Sequence, residues 1–135
     1  MISASFLTKH LMIHYRRGEE HYLKWLTDGD WAANNAGWQW TAGCGCDAQP
    51  YFRVFNPMSQ GRKFDADGAY VRKWVPELAE LPTKHLHAPF DAPDNVLFNA
   101  GVQLGETYPK PIVDHRAARA RYLEVAKSFF DRKSG

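Results

Sequence analysis

The stretch from Asp28 to Trp40, reading DGDWAANNAGWQW, constrains the fold more than any other. Asp28 and Asp30 flank Gly29, which marks a turn whose Asp30 carboxylate can cap the following helix. On that helix Trp31, Asn34 and Trp38 fall at i, i+3 and i+7, on one face. Ala32, Ala33, Ala36 and Gly37 lie between them, and residues this small let something large approach the backbone. One amide and two indoles behind two carboxylates suit a flat, polar-edged aromatic ligand. The same spacing equally describes a core helix with a buried aromatic stripe and an ordinary Asp cap.

The other helices follow from periodicity. Residues 2–17 read as one helix, with Ile2, Phe6, His10 and Ile13 in one stripe and Leu7, Leu11 and Tyr15 in the next. Gly18 reads as its stop, and Glu19 and Glu20 as the first turn of a second helix that turns Tyr22, Leu23 and Leu26 inward. The helix after Asp30 should run to about Ala42, completing a helical hairpin array. Residues 43–68 read as a long loop containing Pro50 and the turn-forming Asn56-Pro57 step. A further helix spans about Gly68 to Ala79, with Tyr70, Val71, Trp74 and Leu78 on one face and a kink or break near Trp74 ahead of Pro76. Five prolines in residues 81–111 predict a wrapped segment with little regular structure. The last helix takes Asp114 as N-cap and runs to about Phe130, burying Ala117, Tyr122, Val125 and Phe129. No alternating strand pattern and no repeat is present, so the class is all-α with long Pro-rich loops.

At 135 residues, 44% hydrophobic and 14% aromatic, the chain is long and apolar enough for one packed domain. A net charge of +2 requires no polyanionic partner. No apolar run reaches transmembrane length and no signal peptide opens the chain, so no membrane association and a cytoplasmic location are expected. Cys44 and Cys46, separated by one glycine, suit neither a disulfide nor a zinc site and read as free thiols. His85 and His87 lack a third ligand and read as surface loop residues, so no metal is expected. In the long loop Tyr51, Phe52, Phe55 and Phe64 alternate with Arg53, Arg62 and Lys63. That pattern suits a nucleic-acid surface, or rings that pin a coil beneath solvated cations.

Several of these segments, in this order, resemble one family. Asp28 to Trp40, Asp47 to Pro57 (DAQPYFRVFNP), Gln60 to Asp65, Tyr70 to Leu78 (YVRKWVPEL) and Tyr108 to His115 (YPKPIVDH) are similar to the C-terminal part of the FAD-binding domain of the photolyase/cryptochrome family. The match lies nearest to class I cyclobutane pyrimidine dimer photolyases. The (6-4) photolyases differ across Cys44 to Phe55, and the DASH-type cryptochromes depart from the Gln49-Pro50-Tyr51-Phe52-Arg53 pattern. Family members are several times longer, so the resemblance implies that the chain is a single partial domain. The antenna domain and the first part of the flavin domain would then lie outside it, in an N-terminal portion that would act as partner.

The resemblance implies FAD as cofactor and light-driven DNA repair as activity: reduced FAD passes an electron to a dimer flipped out of damaged DNA. Asp28, Gly29 and Asp30 correspond to the flavin-contacting turn, and Asn34 to the amide beside flavin N5. Trp38 corresponds to the flavin-proximal relay tryptophan. Tyr15 stands at the next relay position, usually tryptophan. Tyrosine oxidation normally loses a proton, which implies slow photoreduction. Trp40 corresponds to a ring that packs on the flipped dimer, where stacking contributes roughly 1–3 kcal/mol. Arg53, Gln60 and Lys63 correspond to the loop bordering DNA. Two other outcomes follow from the same resemblance: a cryptochrome-like flavin photoreceptor, or a fragment without activity of its own.

Overall fold

A computed structural model describes residues 1–133. The protein is all-α, and among the described residues the only β pairing is an isolated bridge between Leu104 and Tyr108. The chain divides into two compact units, Met1–Phe55 with Val113–Gly135, and Asn56–Ile112.

The first unit holds α1 (Ile2–Ser5) continuing into a π-helical segment (Phe6–His10), then α2 (Tyr15–Trp25), α3 (Trp31–Ala42) and α8 (His115–Lys133). The single helix expected over 2–17 is broken. Residues 11–14 leave the helix, with Met12 at φ 55°, and α2 starts at Tyr15 with the His14 ring accepting the Arg16 N–H at 3.3 Å. The inward face differs in part, since His10 is buried as expected and Phe6, Leu7, Leu11 and Tyr15 are half-buried. Ala4, Ser5, Lys9 and His10 are buried, whereas Ile2 and Ile13 are exposed. Gly18 is no stop. It sits inside α2, buried, where a Cβ would fall 2.5 Å from Trp38 Cζ2, so its missing side chain lets α2 and α3 close on the indole. Leu26 is exposed, while Tyr22 and Leu23 are half-buried.

The α3 boundaries match the expectation. The Asp30 carboxylate accepts the Ala33 N–H at 2.7 Å, and Gly43 ends the helix in the left-handed region at φ 83°. Asp114 caps α8, accepting from Ala117 N at 2.7 Å. The buried side of α8 keeps Tyr122 of the expected residues and otherwise differs. Ala118 is buried and Tyr122 half-buried, while Ala117, Val125 and Phe129 are exposed.

The second unit packs Leu78, Leu81, Leu86, Ala92, Leu97 and Val102 into an apolar core flanked by Val71, Val75, Val96 and Tyr108. Residues 43–68 are not all loop: α4 (Pro57–Phe64) starts there, with Asn56 as N-cap and Pro57 in its first turn. Residues 81–111 are likewise more regular than expected, with α6 (Thr83–Leu86), a 3₁₀ turn at Pro89–Asp91 and α7 (Asp94–Asn99). The prolines begin these turns. Proline lacks the N–H that a first-turn residue leaves unused, and its φ already suits a helix. The break expected near Trp74 is present: α5 (Ala69–Trp74) ends there and a 3₁₀ turn follows at Pro76–Leu78. Of the face expected there, Leu78 is buried and Val71 packs on the core, but Tyr70 and Trp74 are exposed. His87 is also no surface residue. It is half-buried over Gly61 with Nε2 2.7 Å from the Asp65 carbonyl, and His85 is half-buried too.

Candidate functional site

The α2–α3 pair assembles most of the expected site residues. Trp38 is 4% exposed, seated over Gly18 with Tyr22 edge-on at 5.1 Å and 82°. Tyr22 in turn shares a 2.7 Å hydrogen bond with the Ser3 hydroxyl. Trp31, seven residues before Trp38 and on the same helical face, is 68% exposed. The two indoles therefore belong to different environments, one seated over Gly18 and the other facing solvent.

Asn34 donates from Nδ2 to the Glu19 carbonyl at 3.0 Å, which ties the centre of α3 to α2. Beside it runs a chain of polar groups absent from the sequence reading. Asn35 donates to the buried Glu19 carboxylate at 2.8 Å, and Gln39 donates to Asn35 Oδ1 at 2.8 Å and to the Tyr15 hydroxyl at 3.5 Å. Tyr15 thus stands at the end of an amide chain, its ring stacked on His14 at 4.7 Å. The amides at 35 and 39 carried the only sequence signal, since their i, i+4 spacing lines a helix face. Asp28, Gly29 and Asp30 form an exposed turn at the α3 entrance, and Trp40 is half-buried at its far end.

After α3 the chain turns back through Gly43, and Cys44 and Cys46 are exposed free thiols. Gln49 is buried and donates to the Thr41 carbonyl at 2.7 Å. Arg53 is exposed, on a segment whose Tyr51 ring packs on Phe130 at 4.8 Å. Beneath that segment the fully buried Lys9 has its ammonium pushed down to about 8, first by burial and then by the Arg53 charge. Gln60 and Lys63 belong to the second unit, on α4. Gln60 is half-buried, and Lys63 is exposed with its ammonium 5.1 Å from the Phe64 ring centre. Among the described residues no group of three or more His, Cys, Asp or Glu side chains is placed to hold a metal ion, and no helix is long and apolar enough to cross a membrane.

His10 and His115 form a second buried feature missed in the sequence, with His10 Nε2 2.7 Å from His115 Nδ1. One nitrogen donates and the other accepts, so the pair is complete when both rings are neutral. Burial lowers both pKa values, His10 next through His115, and His115 next through Arg119. A histidine whose folded pKa is lowered contributes stability above its unfolded value of about 6.5. That stability is lost as pH falls through the folded value. Thermal melts between pH 7 and pH 5 are expected to show a falling midpoint for the parent chain and a flatter profile for His115→Phe. Parallel profiles would remove the pair as the cause.

The family described as the FAD binding domain of DNA photolyase matches residues 1–128. A deoxyribodipyrimidine photo-lyase of Agrobacterium fabrum is 58% identical over 91% of this chain and 26% of its own length. The structure of a bacterial class III photolyase from Agrobacterium tumefaciens superposes with a TM-score of 0.88 at 56% identity, over 93% of this chain and 26% of the other. A cryptochrome from Synechocystis gives 0.85 at 37% identity, over 91% of this chain and 25% of the other. The chain spans about a quarter of the length of these relatives. With almost every residue inside one family's match and a helical architecture shared with its solved members, the chain belongs to the family of the FAD binding domain of DNA photolyase.

Proposed function

We propose that this chain acts as part of a deoxyribodipyrimidine photolyase, a lyase that binds FAD and splits cyclobutane pyrimidine dimers in damaged DNA. The observation that carries the reading is the α2–α3 pair, which keeps the exposed Asp28-Gly29-Asp30 turn, Asn34 and Trp38 together within the match to the family. The surface available to a flavin fits it. Ala33, Ala36 and Gly37 are exposed, and a Cβ on Gly37 would meet nothing within 4 Å, so a flat ring can lie against the α3 backbone.

When bound and reduced, FAD supplies the light-driven electron. In this reading the Asp28–Asp30 turn and Asn34 hold and orient the cofactor. The bond from Asn34 to Glu19 fixes that amide before anything binds. Trp38, screened from water by α2, is the oxidisable ring nearest the cofactor, and Tyr15 lies further along the relay. Trp40 stacks on the flipped base, and Arg53, Gln60 and Lys63 contact the strand.

Titration of the chain with FAD, followed by flavin fluorescence, tests the first step. Micromolar binding is expected, weakened about fivefold to tenfold by Asn34→Ala, the equivalent of one hydrogen bond of roughly 1–1.5 kcal/mol. Binding indifferent to Asn34 would refute the pocket. The likeness to the Synechocystis cryptochrome favours one alternative, a flavin photoreceptor without repair. Dimer splitting under blue light by the FAD-loaded protein separates the two.

A further inference from the structure

Ser5 and Lys9 lie one helical turn apart, and both are fully buried. Both address the same irregular segment. Lys9 Nζ donates to the Arg53 carbonyl at 2.7 Å and to the Tyr51 carbonyl at 3.4 Å, and the Phe55 N–H donates to Ser5 Oγ at 3.4 Å. The Tyr122 ring of α8 covers Lys9 Nζ, 5.7 Å from its centre. Between these ties the Arg53 N–H closes a turn onto the Pro50 carbonyl at 3.0 Å.

We propose that Ser5 and Lys9 are positioning residues for the Tyr51–Phe55 segment, fixing its backbone so that the exposed Arg53 side chain is aimed at the DNA strand. The inference rests on the reading that Arg53 faces DNA. Burying an ammonium is unfavourable unless its hydrogens are used, and an apolar side chain of similar volume fills such a space more favourably. Lysine here is explained by the backbone it serves. Residues 50–55 form no helix or strand, so beyond the Pro50–Arg53 turn their carbonyls have no ladder to satisfy them. Within the Pro50–Arg53 turn the Tyr51 and Arg53 carbonyls both come within reach of a single ammonium. The groups facing Lys9 are Arg53 and Tyr51 from the segment and Tyr122 from α8, with no carboxylate among those interactions. The lysine therefore answers to backbone oxygens, not to an ion-pair partner.

A double-mutant cycle on the affinity of the chain for an oligonucleotide carrying one pyrimidine dimer, read at several salt concentrations, tests this. Arg53→Ala is expected to weaken binding about tenfold and to lower the salt slope by about one. Lys9→Met is expected to reproduce both effects, and the double variant to bind no more weakly than Arg53→Ala alone. Effects that add in full would overturn the proposal, because loss through general destabilisation does not depend on Arg53. Ser5→Ala, a milder change, covers the case in which Lys9→Met does not fold. Amide hydrogen exchange at Arg53 and Phe55 should then accelerate at least tenfold while exchange at Ala33 stays unchanged, and equal protection would refute the tie. If the parent chain does not bind the oligonucleotide, the repair reading fails. Unchanged exchange at those two amides would then overturn the tie separately.

Discussion

Gly18→Ala is expected to unseat Trp38 and destabilise the first unit, although alanine is the better helix former. The substitution gains roughly 1 kcal/mol of helix propensity. Against that, the new Cβ would lie 2.5 Å from both Trp38 Cζ2 and Cζ3, at the outer edge of a rigid bicyclic ring. Overpacking of this kind costs about 1–3 kcal/mol, and more where neither partner can yield. The ring cannot swing away freely, because Tyr22 stands edge-on against it. The net result is a lower melting temperature and a weakened tryptophan signal in near-ultraviolet circular dichroism. Gly37→Ala is the matched control. It lies in the same helical pair with nothing within 4 Å of the new Cβ, so only the propensity gain applies and the melting temperature should rise. If the two variants melt alike, the close approach of α2 and α3 is wrong.

The second large effect is expected from Arg72→Met in the other unit. One guanidinium serves three backbone carbonyls there: Nη1 to Asp67 at 2.7 Å, Nη2 to Leu81 at 2.9 Å and Nε to Ala79 at 3.1 Å. Nη2 also reaches Thr83 Oγ1 at 3.2 Å. These contacts fasten the turns on both sides of Leu78 and Leu81, the centre of the apolar core. Hydrogen bonds from a charged donor contribute about 1.5–3 kcal/mol each when their partners would be left unmet. Methionine keeps the stem and loses all of them. Urea unfolding should show a loss of about 3 kcal/mol or more, and Arg72→Lys should recover only part of it, because an ammonium cannot present the planar fork. A loss below about 1 kcal/mol would mean that the carbonyls find other donors.

What could be read from the sequence was local chemistry. The Asp30 and Asp114 caps each satisfy a backbone donor three residues ahead, so neither needs knowledge of the rest of the chain. The break before Pro76 is the same kind of signal. The errors arose where a residue's role depends on a distant partner. Gly18 looked like a helix end, and only the position of Trp38, twenty residues later, shows that it is a packing surface. Lys9 carries no burial signal of its own, and its reason for being inside lies in Arg53, as that of His10 lies in His115. Tyr70 and Trp74 have core spacing but lie on the outer side of α5, where Val71 does the packing. Prolines were read as breaking structure, although at Pro57 and Pro89 they begin it.

The first unit is assembled from both flanks of the second, with Met1–Phe55 on one side and Val113–Gly135 on the other. That topology sets a timetable during synthesis. The whole second unit emerges from the ribosome between Phe55 and His115, a wait of roughly 3–12 s at ordinary elongation rates. Throughout that interval His10 lacks His115 and Lys9 lacks the Tyr122 ring, so the side of the first helix that α8 will cover is open to water. The second unit, contiguous in the chain and with its own apolar core, can close meanwhile. A nascent chain stalled in this window would therefore present a finished insertion inside an unfinished host. The burial of two polar groups, Lys9 and His10, on that open face makes the waiting surface less sticky than an all-apolar one would be.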